Sequence, residues 1–309
     1  MHISRLTLTM TMAAVLLGLA ACATPTTRHP VIPAELGTEA SSANLEASMD
    51  QPGIVTFRQI RLATWTGGRG TFLDRSDPRT GSVPQGFEEA DIYIYVLDHP
   101  VHGRYLIDAG VSRDLEARLN PLMRKALVDL NLRIAHDTSE ALAGETAPKG
   151  VFLTHLHIDH VGGLIDLDPT IPAYVGPGEA SERNRLNGLL GHPIDAILDG
   201  RPPLQEWRFT PDPAGRFDGM VDVFGDGSVW ALHVPGHTPG STAYLIHAVD
   251  GPKLVTGDAV QIRLAWDQDL PQPLKGAAKI QAERSAAQLR RLVADHPDVQ
   301  VLLGHQHLH

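Results

Sequence analysis

The chain has 309 residues, 42% of them hydrophobic and 20% charged, with 29 glycines, enough apolar material for one large domain or two small ones with a buried core. It carries 36 acidic against 26 basic residues, a net charge of −10 with neutral histidines, which disfavours a nucleic-acid partner. The single cysteine, Cys22, excludes an intrachain disulfide.

The N-terminus differs from the rest. His2 and Arg5 precede an apolar run over residues 6–21, too short to span a bilayer comfortably and suited to an export signal. The run closes on Leu19-Ala20-Ala21-Cys22. That tetrad resembles the lipobox of bacterial lipoproteins, and the resemblance implies cleavage before Cys22, acylation of its thiol and attachment to a membrane. Ala23, where an aspartate would signal inner-membrane retention, implies the outer membrane, facing the periplasm of a Gram-negative cell. Loss of Arg5 with the signal takes the net charge to about −11. Residues 22–52 are rich in Ala, Thr, Ser, Pro and Glu, with almost no large apolar side chain. They read as a solvated tether, which places the folded domain at 53–309.

From Ile54 onward one pattern repeats, a short apolar run followed by a Gly-rich or polar turn. Residues 54–63 and 91–97 alternate as strands do, and 104–107 form a third run that closes on Asp108-Ala109-Gly110; the three predict neighbouring antiparallel strands. Residues 111–134 carry apolar side chains at helical spacing, as do 285–293, where Leu289 and Leu292 share a face. Four apolar runs end in a residue able to hold a metal: 151–154 before His155, 230–234 before His237, 253–256 before Asp258 and 299–303 before His305. Strand ends hold side chains rigidly while the loops vary. The expected architecture is α/β, one domain of two mixed β-sheets flanked by helices, an αββα sandwich.

Residues 154–163, THLHIDHVGG, place three histidines and an aspartate within six positions. Four such groups gathered without partners would lose hydration and repel one another when protonated; a bound metal accounts for all of them together. In an extended segment His155 and His157 share a face and can grip one ion. The turn after them can swing Asp159 and His160 toward a second.

HLHIDH, VPGHTPGS, TGD and LLGH, in that order, resemble the metallo-β-lactamase superfamily from about Ile54 to the C-terminus. The resemblance implies that His155, His157 and His237 hold one metal and Asp159, His160 and His305 another, with Asp258 between them. Imidazoles and carboxylates suit divalent ions, zinc by default. Two ions about 3.5 Å apart can share and acidify a water, generating a nucleophilic hydroxide without Ser or Cys, so hydrolysis is the expected reaction. Asp108 is the candidate to orient a metal-bound histidine through its outer N–H. Most other histidines, His99 and His102 among them, lack ligand company in the sequence and read as ordinary surface or core residues, while His307 and His309 lie near enough to His305 in the chain to be weaker candidates for the site.

Within the superfamily, β-lactamases commonly replace the bridging aspartate with Cys or Ser, flavodiiron proteins carry a glutamate at the position of His157, and glyoxalase II adds a helical C-terminal region. The 47 positions from Asp258 to His305, with a proline-bearing loop and one amphipathic helix between them, resemble the N-acyl homoserine lactonase branch. That implies a small-molecule substrate, a lactone or small ester. The other readings are a different metallohydrolase, cleaving a thioester, phosphoester or β-lactam, and a non-catalytic metal-binding lipoprotein. Where those lactonases carry a tyrosine three residues past the bridging aspartate, this chain has Gln261, which becomes the candidate to orient the substrate carbonyl. Asp159 is the candidate to return a proton to the leaving group. The sequence does not indicate an oligomeric state.

Overall fold

The structure, a computed structural model, describes residues 24–184 and 192–308; the expected export signal and Cys22 lie outside them. Strands Thr56–Gly68, Phe87–His99 and Gly103–Ile107 are antiparallel neighbours, as their alternation predicts. Val151–Phe152 adds in parallel to Gly103–Ile107, and Ala173–Val175, Leu204–Glu206 and Val31–Pro33 continue the sheet, with Arg133–Ile134 at its far edge. This gives an eight-stranded mixed sheet. The second sheet has six strands in the order Gln300–Leu302, Gly251–Val255, Thr242–Ala248, Val229–His233, Met220–Asp222 and Thr38–Glu39.

Both sheets are covered on both faces, which explains why their strands read as nearly continuous apolar runs. Tyr93, Tyr95, Phe152 and Trp207 of one sheet join Val229, Ala231, Tyr244 and Ile246 of the other in a core between the sheets. The alternate residues Ile92, Ile94 and Val96 pack outward with Leu115, Leu164 and Ile197 from the helical segments. On the opposite side Trp230, Leu232 and Leu245 meet Leu289 and Leu292 of the helix Gly276–Asp295. The layers are helix, sheet, sheet, helix, the expected sandwich. Leu289 is fully buried, so Leu289→Ala should cost about 2–5 kcal/mol of stability.

Two expectations need correction. Residues 24–52 are not a solvated tether. Thr24–Pro25 pairs with Arg183–Asn184, Val31–Pro33 lies parallel to Leu204–Glu206, and Thr38–Glu39 lies antiparallel to Val221 and Asp222. The helix Ser42–Met49 follows, its N-terminus closed by a reciprocal box between Ser41 and Asn44. Only Ala34, Ala40 and Leu45 are buried apolar anchors here; the rest is held by main-chain pairing and by polar bonds such as Ser42 Oγ to Asp212. Composition counts side chains and does not register backbone pairing at sheet edges, so the boundary at residue 53 lies too late.

Residues 111–134 are also not one helix. They form Leu115–Arg118, Pro121–Asp129 and the strand Arg133–Ile134. Pro121 lacks an N–H and drives Asn120 out of helical geometry, and Asn120 instead caps the second helix by accepting the Met123 N–H at 2.9 Å. Asn131, at φ 53°, stops that helix in the left-handed conformation asparagine tolerates.

Candidate metal centre

Val229–His233 and Gly251–Val255 are each antiparallel to Thr242–Ala248, and Gln300–Leu302 is parallel to Gly251–Val255. The three strands therefore run the same way, and their C-terminal ends deliver His237, Asp258 and His305 to one rim. Val151–Phe152 brings His155 there from the other sheet, and Thr242 N–H binds the Thr154 carbonyl at 2.9 Å to join the two sheets.

All seven residues expected from the motifs converge. His157 Nδ1 lies 2.9 Å from His155 Nε2 and 3.0 Å from His237 Nε2. Asp258 divides its carboxylate between two groups. Its Oδ2 faces the first, 3.2 Å from His237 Nε2 and 3.8 Å from His155 Nε2. Its Oδ1 faces the second, 3.4 Å from both His160 Nε2 and His305 Nε2. Asp159 Oδ2 completes that second group, 3.5 Å from His305 Nε2. His155, His157, His237 and Asp258 could hold one ion, and Asp159, His160 and His305 another.

The inward atoms fit that use. His160 Nε2 and Asp258 Oδ1 are buried without a hydrogen-bond partner, a costly state for polar atoms unless something else binds them. Gly304 admits the carboxylate, since a Cβ there would stand 2.4 Å from Asp258 Oδ1. Burial, reinforced by His160 and His157, holds the His155 imidazole well below its ordinary pKa, so it is a neutral donor. Burial acts the same way on His160 and His305 but is outweighed by carboxylates, chiefly Asp108 for His160 and Asp258 for His305, and both stand above the ordinary value. For Asp258 burial favours the neutral acid, yet His305, His160 and His237 hold it well below the ordinary carboxylate range. The carboxylates thus gather positive charge on these imidazoles, the charge a divalent cation would supply.

The outward atoms of four histidines are anchored. His160 Nδ1–H donates to Asp108 Oδ2 at 2.8 Å, the contact expected of Asp108. Asp108 sits at φ 55°, a left-handed turn that aspartate accepts more readily than most residues. It also accepts the Thr154 N–H at 2.7 Å and the Thr154 hydroxyl, which leaves Thr154 Oγ1 to accept His155 Nδ1–H at 3.1 Å. His305 Nδ1–H donates to the Asp91 carbonyl at 2.9 Å.

The fourth anchor is Gln272, which sequence reasoning missed. Its Oε1 accepts His237 Nδ1–H at 2.9 Å while its Nε2 donates to the Asp258 and Ala259 carbonyls. The only local signal is its place between Pro271 and Pro273, which stiffen the loop. Gln261 differs from expectation. Its Nε2 donates to Asp258 Oδ2 at 2.7 Å, because three residues of turn bring the amide back over the carboxylate. It holds Asp258 rather than reaching freely for a carbonyl.

The site opens onto a chamber of about 320 Å³ whose apolar lining includes Trp65, Ile92, Leu115, Met123, Leu127 and Leu132. His157, Asp159, His237, Asp258, Gln261 and His305 line it as well, so the chamber has a polar wall at the ligand groups and an apolar wall that adjoins it, Trp65 packing edge-on against His305 with ring centroids 5.5 Å apart.

His99 and His102, expected to lack company, gather with Asp226. His99 is already satisfied: its Nδ1 accepts the Val101 and His102 N–H groups, and its Nε2–H donates to Asp226 at 2.9 Å. The trio is a structural bond set.

The profile of the Metallo-beta-lactamase superfamily matches residues 89–305, and the chain belongs to that superfamily. Over 159 residues it is 32% identical to an N-acyl homoserine lactonase AttM of Azorhizobium caulinodans, covering 51% of this chain and 57% of the relative. It is 27% identical over 232 residues to an AttM lactonase of Rhizobium johnstonii, covering 70% and 82%. The chain spans 57–62% of the length of the first curated relatives it matches. Among solved structures it is similar to an N-acyl homoserine lactone hydrolase with N-hexanoyl-L-homoserine at its catalytic metal centre, at TM-score 0.59 and 16% identity over 82% of this chain and 94% of that one. A B. thuringiensis AiiA variant with N-decanoyl-L-homoserine at its active site gives TM-score 0.58 at 16% identity and the same coverage. At that identity the likeness shows the shared fold.

Proposed function

We propose that this protein opens a lactone, or a related small ester with an apolar acyl group, using two divalent ions, zinc by default. One observation carries the reading: Asp258 turns one carboxylate oxygen toward each ligand group, in a chamber whose remaining lining is largely apolar. The lactonase names of the curated relatives support it. His155, His157 and His237 would hold one ion and Asp159, His160 and His305 the other, with Asp258 between. When bound, such a pair polarises a carbonyl and acidifies water.

The residues of the chain do the rest. Asp108, Thr154, Gln272 and the Asp91 carbonyl fix which imidazole nitrogen points inward, and Gln261 keeps Asp258 aligned. Leu115, Met123 and Leu127 exclude water from the acyl group. Water adds to the carbonyl carbon, the acyl–oxygen bond breaks, and the departing alkoxide needs a proton. Asp159, which lines the chamber and is part-exposed, would take the proton released by the attacking water and return it to the departing oxygen. Asp159→Asn, checked for retained metal, should slow esters with poor leaving groups far more than activated aryl esters. Equal losses leave Asp159 no acid role.

Metal-loaded protein assayed against a lactone, thioester, phosphodiester and β-lactam panel tests the substrate class. The highest kcat/KM on another class would refute the lactone reading. The location is part of the proposal: export, acylation at Cys22 and an outer-membrane anchor. Cys22→Ser should abolish acylation and shift the protein to soluble or uncleaved forms, and an unmodified Cys22 in native membranes would contradict the anchor.

A further inference from the structure

Glu179 has no part in either ligand group, yet it touches the loops that carry three of their histidines. It ends the turn Gly176-Pro177-Gly178-Glu179, which follows the strand Ala173–Val175, and it is 1% exposed. Its Oε1 accepts the N–H of Leu156, the residue between His155 and His157, at 2.7 Å. Its Oε2 accepts the N–H of Gly240, three residues past His237, at 3.0 Å. No ion pair to Glu179 is present among the described residues.

A carboxylate so deeply buried without a cation is unfavourable unless its bonds demand it. Burial pushes its pKa up to about 7 against the bonds that lower it. The demand is geometric, because each oxygen faces an N–H from a different loop and only a group with two acceptor ends satisfies both. A glutamine would turn its own NH₂ toward one of them. The backbones also meet closely, since a Cβ on Gly176 would stand 1.9 Å from the Gly240 carbonyl oxygen and one on Gly240 would stand 2.7 Å from Glu179 Cβ. Side chains larger than hydrogen would part the loops that the carboxylate joins.

We propose that Glu179 is a positioning residue that ties the His155–His157 loop to the His237 loop and so sets the spacing of the first ligand group. The loops come from different sheets, and a change of a few tenths of an ångström between them would splay these three imidazoles. The second group has its own anchors, Asp108 on His160 and the Asp91 carbonyl on His305, and is largely independent of this tie. The inference rests on the reading that each group holds an ion.

The test is stepwise metal binding to the full chain, stripped of metal and titrated with Co²⁺ while visible absorption and bound cobalt are followed. Wild type should bind two ions. Glu179→Gln, nearly isosteric, should weaken one of them by about 10- to 100-fold, the loss typical of groups that orient ligands, and leave the other within about threefold. Its spectrum should match that of His237→Ala and not that of His305→Ala. Glu179→Asp, too short to reach both loops, should behave like the glutamine variant. Equal weakening of both ions, or unchanged affinities with only a lower melting temperature of the metal-free protein, would make Glu179 a general structural residue and overturn the proposal. A wild-type chain that binds no cobalt would overturn the metal reading and this inference with it.

Discussion

The two walls of the chamber are built on opposite principles. On the polar wall, four of the five imidazoles have their outer nitrogen tied to a side chain or carbonyl; His155, His237, Asp258 and His305 follow the ends of sheet strands, and Asp159 and His160 stand on the short helix Ile158–Val161. On the apolar wall, Leu115, Met123, Leu127 and Leu132 come from short helices and their connections, and Met123 and Leu127 are only partly buried. Leu122 and Val128 on the same helix are exposed. Reacting groups need placement within a fraction of an ångström, whereas an acyl chain needs only apolar area. On the proposed reading, chemistry and substrate choice are thus housed in separate elements.

The largest expected effect falls on the polar wall. Asp258→Asn should leave the fold largely intact and lower kcat/KM by about a thousandfold, matching several kcal/mol of lost charge stabilisation. Metal content must be measured on the same sample, because an enzyme that kept full activity with one ion would end the dinuclear account. Asp108→Ala and Gln272→Ala come next. Each frees one imidazole to turn, and metal affinity should fall by about 10- to 100-fold, with Asp108→Ala acting on His160 and Gln272→Ala on His237. Unchanged affinity in both would mean that the outer anchors do not set the polar wall.

The apolar wall should respond differently. Leu127→Ala removes area that an acyl chain would cover, at about 0.8 kcal/mol per buried methylene, so KM should rise several-fold for a long-chain substrate. The short-chain homologue should be unaffected and metal content unchanged. Equal losses for both chain lengths would break the separation of the walls. The smallest effect sets a baseline away from both. Burial holds the His247 imidazole below its ordinary pKa, against the pull of Asp226, so the unfolded chain takes up a proton there before the folded one does. Its contribution to stability is complete above about pH 6.5 and declines as pH falls below that value. His247→Gln should flatten the melting temperature in that range, and an unaltered slope would remove His247 as a cause.

The same division governs what the sequence discloses. His155, His157, Asp159 and His160 are legible because one short motif holds them, and His237, Asp258 and His305 because each follows an apolar strand. Asp108 shows itself by closing a strand in the same way. Gln272 and Glu179 do not, since their partners lie 35 positions away at His237 and 61 positions away at Gly240, and only the folded loops bring them together. The apolar wall is hidden for another reason: 111–134 has helical spacing throughout, but Pro121 and Asn131 break it into the pieces that line the chamber. Residues 24–52 are hidden because main-chain pairing leaves no mark on composition.

The central claim is that the two ligand groups act together on a lactone carbonyl at the foot of an apolar chamber. Its most direct test is a zinc titration of the stripped wild-type protein, with bound zinc and hydrolysis of a medium-chain acyl lactone measured on the same aliquots. The account predicts two ions per chain, with most hydrolysis appearing only as the second binds. Full hydrolysis with one ion or none, or no lactone hydrolysis with two bound, would contradict it.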